Sequence, residues 1–185
     1  MNVKAQALLN GASWVRENFG ETGLEQVLAA CRPEVRERVT TAIAINWHPQ
    51  EELEDLLSVT DRVLGRGDGK IAEAIGAAGA KKNLRHMALR LAFFLARPEF
   101  LMRLVAAVWR QYNEEGAMVV EESHRGRMVA ELVGMSKPSF SICCSVTGWL
   151  QEAGVATGMK RVATTHVECR ARSGDKCIWH MKWVD

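Results

Sequence analysis

Five residues in the last third of the chain carry the side chains best suited to chemistry: Cys143, Cys144, His166, Cys169 and Cys177. Thiolate and imidazole are the ligands that zinc and related soft cations prefer, usually four around the ion in a tetrahedron. With a turn centred on Ser173-Gly174-Asp175, Cys169 and Cys177 stand opposite each other on two antiparallel strands and share one face. A helix packed over that face brings a third thiol, Cys143 or Cys144. His166 is harder to place. It lies three residues from Cys169, and alternation puts such residues on opposite faces of a strand. A β-bulge is needed to bring it round. His180 and Glu168 point away by the same parity. Without an ion, these cysteines read as small buried hydrophobes.

The elements that must position them follow from periodicity. Trp14, Val15 and Phe19 share a helix face that Gly20 ends, and a short helix carries Leu24, Val27 and Leu28. Pro33 opens a helix over about 34–43, and Asn46-Trp47-His48-Pro49 breaks the pattern. A fourth helix begins at Pro49, with acids in its first turns and an apolar stripe of Leu53, Leu56, Leu57, Val59, Val63 and Leu64. Gly65–Gly69 ends it. The Ala/Gly-rich stretch from Lys70, including Gly76, Ala77, Ala78 and Gly79, permits close helix contact. It leads into a basic run, Lys81-Lys82 to Arg85 and Arg90, that reads as a solvated face. Pro98 starts an amphipathic helix bearing Val105, Val108 and Trp109. Beyond Gly116 the period changes, giving strands over about 117–121 and 128–133, a helix over about 138–152, and strands over about 161–171 and 176–184. The expectation is an α+β fold, a helical part (about 1–113) packed with a small antiparallel four-stranded sheet (within about 114–185), forming one domain over 1–185.

Bulk properties narrow the function. Of the 185 residues, 48% are apolar and 25% charged, and the net charge is +2. That is globular, with no electrostatic reason to expect nucleic acid as a partner. No run is long enough to span a membrane and no signal peptide is evident, so the expected location is the cytoplasm. Five cysteines in a reducing compartment read as free thiols or metal ligands rather than disulfides. There is no nucleotide-binding fingerprint, no recognisably spaced Ser/His/Asp set and no convincing carboxylate pair, so the chain reads as non-catalytic. A thiol nucleophile at Cys143 or Cys144 beside His166 is the enzymatic alternative.

The segment SICCSVTGWLQEAG, with THVECRARSGDKCIWHMKW after it, resembles the 4-vinyl reductase domain of bacterial regulators of aromatic catabolism. The resemblance covers roughly the last 90 residues. It implies a structural zinc held by Cys143, His166, Cys169 and Cys177, with Gly148 at the family's spacing from Cys143. The departure is His166, where the family has Glu; histidine is itself a competent zinc ligand. Across the whole chain, Trp47-His48-Pro49, Gly67-Asp68, and Trp109 with Tyr112 resemble a large bacterial family. The wider superfamily includes haem-based nitric-oxide-binding domains and Bet3-type vesicle-tethering subunits.

The resemblance implies a sensory module with an apolar pocket between helices and sheet. Phe93, Phe94, Trp109, Tyr112, Phe140 and Trp149 are its expected lining, although their helical spacing equally suits a packed core. The expected ligand is a small apolar molecule, with the signal passed by contact to a protein partner. A ligand-free homodimeric assembly module, paired through the Ala/Gly-rich stretch, is the alternative. Haem is set aside: His86 is the one histidine on a helix with apolar neighbours. The haem-binding relatives' Tyr-x-Ser-x-Arg clamp is also missing, since Tyr112 is followed by Asn113-Glu114.

Overall fold

Glycines fix the helical half of the molecule, a computed structural model that describes residues 1–84, 98–124, 126–156 and 158–184. Helix α1 (Ala5–Ala30) is kinked at Gly20, whose φ of 72° lies in the left-handed region. Helices α2 (Pro33–Thr41) and α3 (Gln50–Leu64) follow, then α4 (Lys70–Asn83) and α5 (Pro98–Tyr112). Leu8, Val15, Leu24, Val27, Val35 and Leu56 form a core among the first three helices. Residues 85–97, which include His86, Phe93 and Phe94, lie outside the described residues.

The second half is a sheet with one helix over it. Strands β3 (Ala117–His124) and β4 (Arg127–Val133) precede helix α6 (Phe140–Ala156). Strands β5 (Lys160–Glu168) and β6 (Ile178–Val184) complete an antiparallel sheet of order β3-β4-β6-β5. The fold is thus the expected α+β arrangement of a helical part on a four-stranded antiparallel sheet. A larger core of Ile75, Trp109, Met118, Met128, Leu132, Leu150, Trp179 and Met181 fills the space between α4, α5, α6 and the sheet.

Two short strands, β1 (Asn2–Lys4) and β2 (Trp47–Pro49), pair antiparallel where the sequence shows only a breaker. The segment before β2 is tied to the start of α1, because the Ala5 and Gln6 amides donate to the Asn46 and Ala44 carbonyls at 2.9 Å each. That leaves Ile43 and Ile45 outward. Val63, expected on the apolar stripe of α3, is 38% exposed.

Helices α4 and α6 meet backbone to backbone. A Cβ on Gly76 would stand 1.8 Å from the Ser145 carbonyl oxygen, and one on Gly148 would stand 1.9 Å from that of Glu73. Gly76 of the small-residue stretch is therefore taken up by α6 within the chain, whereas a Cβ on Gly79 would meet nothing within 4 Å. Asp61, buried on α3, sets where α4 begins. Its carboxylate accepts the Gly69 amide at 2.7 Å and the Ile71 amide at 2.9 Å, satisfying donors at a helix start. Lys81 and Lys82 are ion-paired with Glu152 and Glu17.

Gly148→Ala is expected to destabilise the chain by about 1–3 kcal/mol, although alanine gains about 1 kcal/mol in helix propensity. Urea unfolding measures it. A loss under about 0.5 kcal/mol would show that α4 and α6 separate at little cost.

Candidate functional site

The β5–β6 hairpin closes just beyond its last paired residues, Glu168 and Ile178, so that Cys169 and Cys177 face each other at the mouth of the turn. A 3-10 turn over Arg170–Arg172 and a left-handed Ser173 (φ 66°) carry the chain round. Helix α6 lies over this mouth. Cys143, in its first turn and fully buried, donates its S–H to Cys177 Sγ at 3.8 Å. Cys144 points the other way, towards Gly69, where a Cβ would sit 2.5 Å from its sulfur. The thiol that joins the hairpin is therefore Cys143.

His166 reaches the cluster through an irregularity in β5. It pairs with Trp179 while Glu168 pairs with Ile178, so β5 advances two residues as β6 advances one. Val167 is the extra residue, 48% exposed. This slip cancels the parity that would set His166 and Cys169 on opposite faces. The imidazole stacks on the Trp179 indole at 4.7 Å between centroids and 11° between planes. One ligand atom from each of Cys143, His166, Cys169 and Cys177 then lies within 4.8 Å of the others. His180 pairs with Val129 and Thr165 in the middle of the sheet, away from this group.

The electrostatics suit a soft cation. The Cys143 thiol is pushed far up because it donates to Cys177 and is buried; burial also raises Cys169. Cys177 is lowered to about 6, first by the Cys143 hydrogen bond and further by the Arg170 amide, whose nitrogen lies 3.4 Å from its sulfur. Burial pulls His166 below its usual value, favouring the neutral imidazole, and its buried Nε2 has no hydrogen-bond partner among the described residues. An unpaired buried imidazole nitrogen beside crowded thiols is costly by itself. A tetrahedral ion at metal–sulfur distances of about 2.3 Å would set sulfurs about 3.8 Å apart and satisfy all four groups. The donor set fits such an ion. Cys144, raised by burial to about 12, is left as an inert thiol.

A separate apolar cavity of about 130 Å³ lies between the helices and the sheet. Trp109, Tyr112 and Trp149 line it, as do Ile75, Val105 and Leu150. Phe140 does not. It sits at the start of α6 beneath the Arg172 guanidinium, 3.4 Å from the ring centroid, because that first turn faces the Gly69 loop. Val3, Ala7, Asn10, Leu53 and Leu57 also line the cavity. Periodicity carries no sign of this, since an apolar residue on a helix stripe looks the same beside a cavity as in a packed core. Burial raises the Tyr112 hydroxyl, and Trp109 Nε1 donates to the Glu115 carbonyl at 3.0 Å.

Solved H-NOX structures are similar to the chain over nearly its whole length. The Fe(II) unliganded H-NOX protein from K. algicida aligns with a TM-score of 0.75 at 13% identity, covering 98% of this chain and 97% of that one. The Fe(II)NO form of an H-NOX protein from S. oneidensis gives 0.72 at 14% identity, covering 98% and 99%. A structure described for modulation of haem redox potential through porphyrin distortion gives 0.65 at 12%, covering 97% and 99%. No family model and no curated protein matches the chain. At these identities the likeness shows the fold, which is that of the H-NOX proteins. It corrects the setting aside of haem, because solved structures of this fold are described in Fe(II) and Fe(II)NO states and, in one case, by a haem redox potential. The 4-vinyl reductase and Bet3-type branches of the resemblance gain no such support.

His166 gives the metal-free protein a pH dependence. Its folded-state pKa lies below the unfolded value of about 6.5, so the unfolded chain takes the proton first. The stability contribution is whole above about pH 6.5 and is lost as the pH falls below it. Urea midpoints should drop on acidification and drop less in His166→Gln; equal pH profiles would show that the imidazole is not buried in neutral form.

Proposed function

We propose that the chain is a non-catalytic, ligand-binding sensory domain acting as one unit over 1–185 in the cytoplasm, with haem in the helix–sheet cavity and a diatomic gas as its signal. The observation that carries this reading is the likeness over nearly the full length of both chains to H-NOX proteins described in Fe(II) and Fe(II)NO states. The cavity wall suits the apolar faces of a porphyrin through Val105, Trp109, Ile142, Trp149 and Leu150. When bound, haem iron supplies the coordination position at which a gas is sensed. His86, the histidine that the sequence sets among apolar neighbours, would hold the iron. The signal leaves by contact with a protein partner.

A small, uncharged apolar molecule is the second reading. It is favoured by the wall itself: among the described lining residues none is Lys or Arg, so no cation there pairs with a carboxylate. Alongside either ligand, Cys143, His166, Cys169 and Cys177 hold a thiophilic divalent ion. Four protein ligands leave no open coordination position, so this ion fastens α6 to the hairpin rather than acting on a substrate.

Purified protein expressed with haem supply should show a Soret band that His86→Ala abolishes. A wild type without that band sinks the haem reading, and thermal shifts with uncharged apolar compounds then decide for the second. Metal analysis should find one thiophilic ion per chain in wild type and a large loss in Cys169→Ser; metal-free wild type that also refuses added cobalt removes the metal centre.

A further inference from the structure

The thiol cluster hangs on a loop whose closure is carried by a residue outside it. We propose that Glu168 is the positioning residue of the Cys143/His166/Cys169/Cys177 centre, its carboxylate latching the Arg170–Lys176 loop so that Cys169 and Cys177 stand together before an ion arrives. The inference rests on reading that cluster as a metal site.

Sequence parity sets the Glu168 side chain on the opposite side from Cys169, away from the ligand set. From there it reaches across the mouth of the hairpin. Its Oε1 accepts the Asp175 amide at 2.8 Å and the Lys176 amide at 2.9 Å, the two N–H groups just before Cys177. One carboxylate oxygen therefore ties the limb that ends in Cys177 to the limb that begins Cys169.

The rest of the loop is wound on the same step of chain. The Cys169 carbonyl accepts the Arg172 and Gly174 amides, each at 2.9 Å. Ser173 takes the left-handed conformation that turns the chain back. A Cβ at Gly174 would lie 2.7 Å from Glu168 Cγ and 2.9 Å from the Cys169 carbonyl oxygen, so the loop closes onto the Glu168–Cys169 bond itself. Inside this frame the Arg170 amide points at Cys177 Sγ. Lys176 adds an outer tie to Glu131 at 2.9 Å, but it runs to β4 and does not join the two limbs. Glu168 is thus a side chain outside the ligand set that joins them. Holding two ligands at bonding separation in advance removes the ordering cost from the binding step, which is where preorganisation raises affinity.

The test is a cobalt titration of the full chain, read from the thiolate-to-cobalt absorption, on wild type, Glu168→Ala and Glu168→Gln. The alanine variant should bind about 10–100-fold more weakly, the range for partners that orient metal ligands. The glutamine variant keeps a carbonyl oxygen able to accept both amides and should bind close to wild type. Amide hydrogen exchange on the metal-free proteins gives an independent reading: Asp175 and Lys176 should be protected in wild type and Glu168→Gln, and unprotected in Glu168→Ala. Wild-type affinity in Glu168→Ala would overturn the proposal. So would a loss in Glu168→Gln as large as in the alanine variant, since charge rather than the latch would then matter. A wild type that takes up no cobalt defeats the metal reading and the positioning role with it, whereas cobalt binding with unchanged exchange in Glu168→Ala defeats the latch alone.

Discussion

The approach of α4 to α6 at Gly76 and Gly148 is the constraint on which both sites depend. Two helices normally stand 8–10 Å apart because side chains keep their backbones separate. Here each glycine faces a carbonyl of the other helix at a distance no Cβ would tolerate. That places α6 deep enough for Cys143 to reach the hairpin mouth. It also sets Ser145, Val146, Trp149 and Leu150 of α6 beside Ile75 and Gly76 of α4 in the lining of the cavity. A helix held one side chain farther out would leave Cys143 short of Cys177 and open the cavity. The Asp61 carboxylate fixes the same arrangement from the other end, because the Gly69–Ile71 amides it caps start α4 against the first turn of α6.

Trp179 carries that placement into the cluster. Its indole N–H donates to Thr147 Oγ1 at 2.9 Å, and the same hydroxyl donates to the Cys143 carbonyl at 2.9 Å. The face of the indole meanwhile supports His166. One buried side chain therefore joins the helix that supplies the first thiol to the strand that supplies the imidazole. The Val167 bulge completes it by turning His166 to the same side as Cys169. Helix, indole and bulge together account for a four-residue cluster drawn from three elements.

Much of this is legible in the sequence. The facing of Cys169 and Cys177 follows from the Ser173-Gly174-Asp175 turn, and the position of α6 over them follows from element order. The choice between Cys143 and Cys144 is not legible, since neighbouring helical residues point about 100° apart and only the Gly69 contact decides which faces the hairpin. Strand parity makes the bulge a requirement but does not locate it, because Val167 looks like any strand valine. The β1–β2 pairing escapes a reading by pattern, since strands of three residues lack a periodicity to detect, and Pro49 reads as a breaker. Residue type alone puts Phe140 in the pocket, but helix phase turns it towards Arg172.

The correction over haem shows where sequence reasoning of this kind fails. Setting haem aside rests on a missing short charged clamp and on a histidine that stands alone. Both observations concern a few residues, whereas a fold is set by burial distributed over the whole chain. An architecture can keep its helix–sheet cavity at 12–14% identity, since any apolar residues of suitable volume preserve it, while the polar residues that grip a ligand change freely. Absence of one relative's clamp therefore bears on how a ligand is held, not on whether the fold that holds it is present. The described wall here is apolar through Val105, Trp109, Ile142 and Leu150 and has no Lys or Arg. A haem carboxylate at that wall would meet only uncharged donors, such as those of Asn10, Asn83 and Ser145.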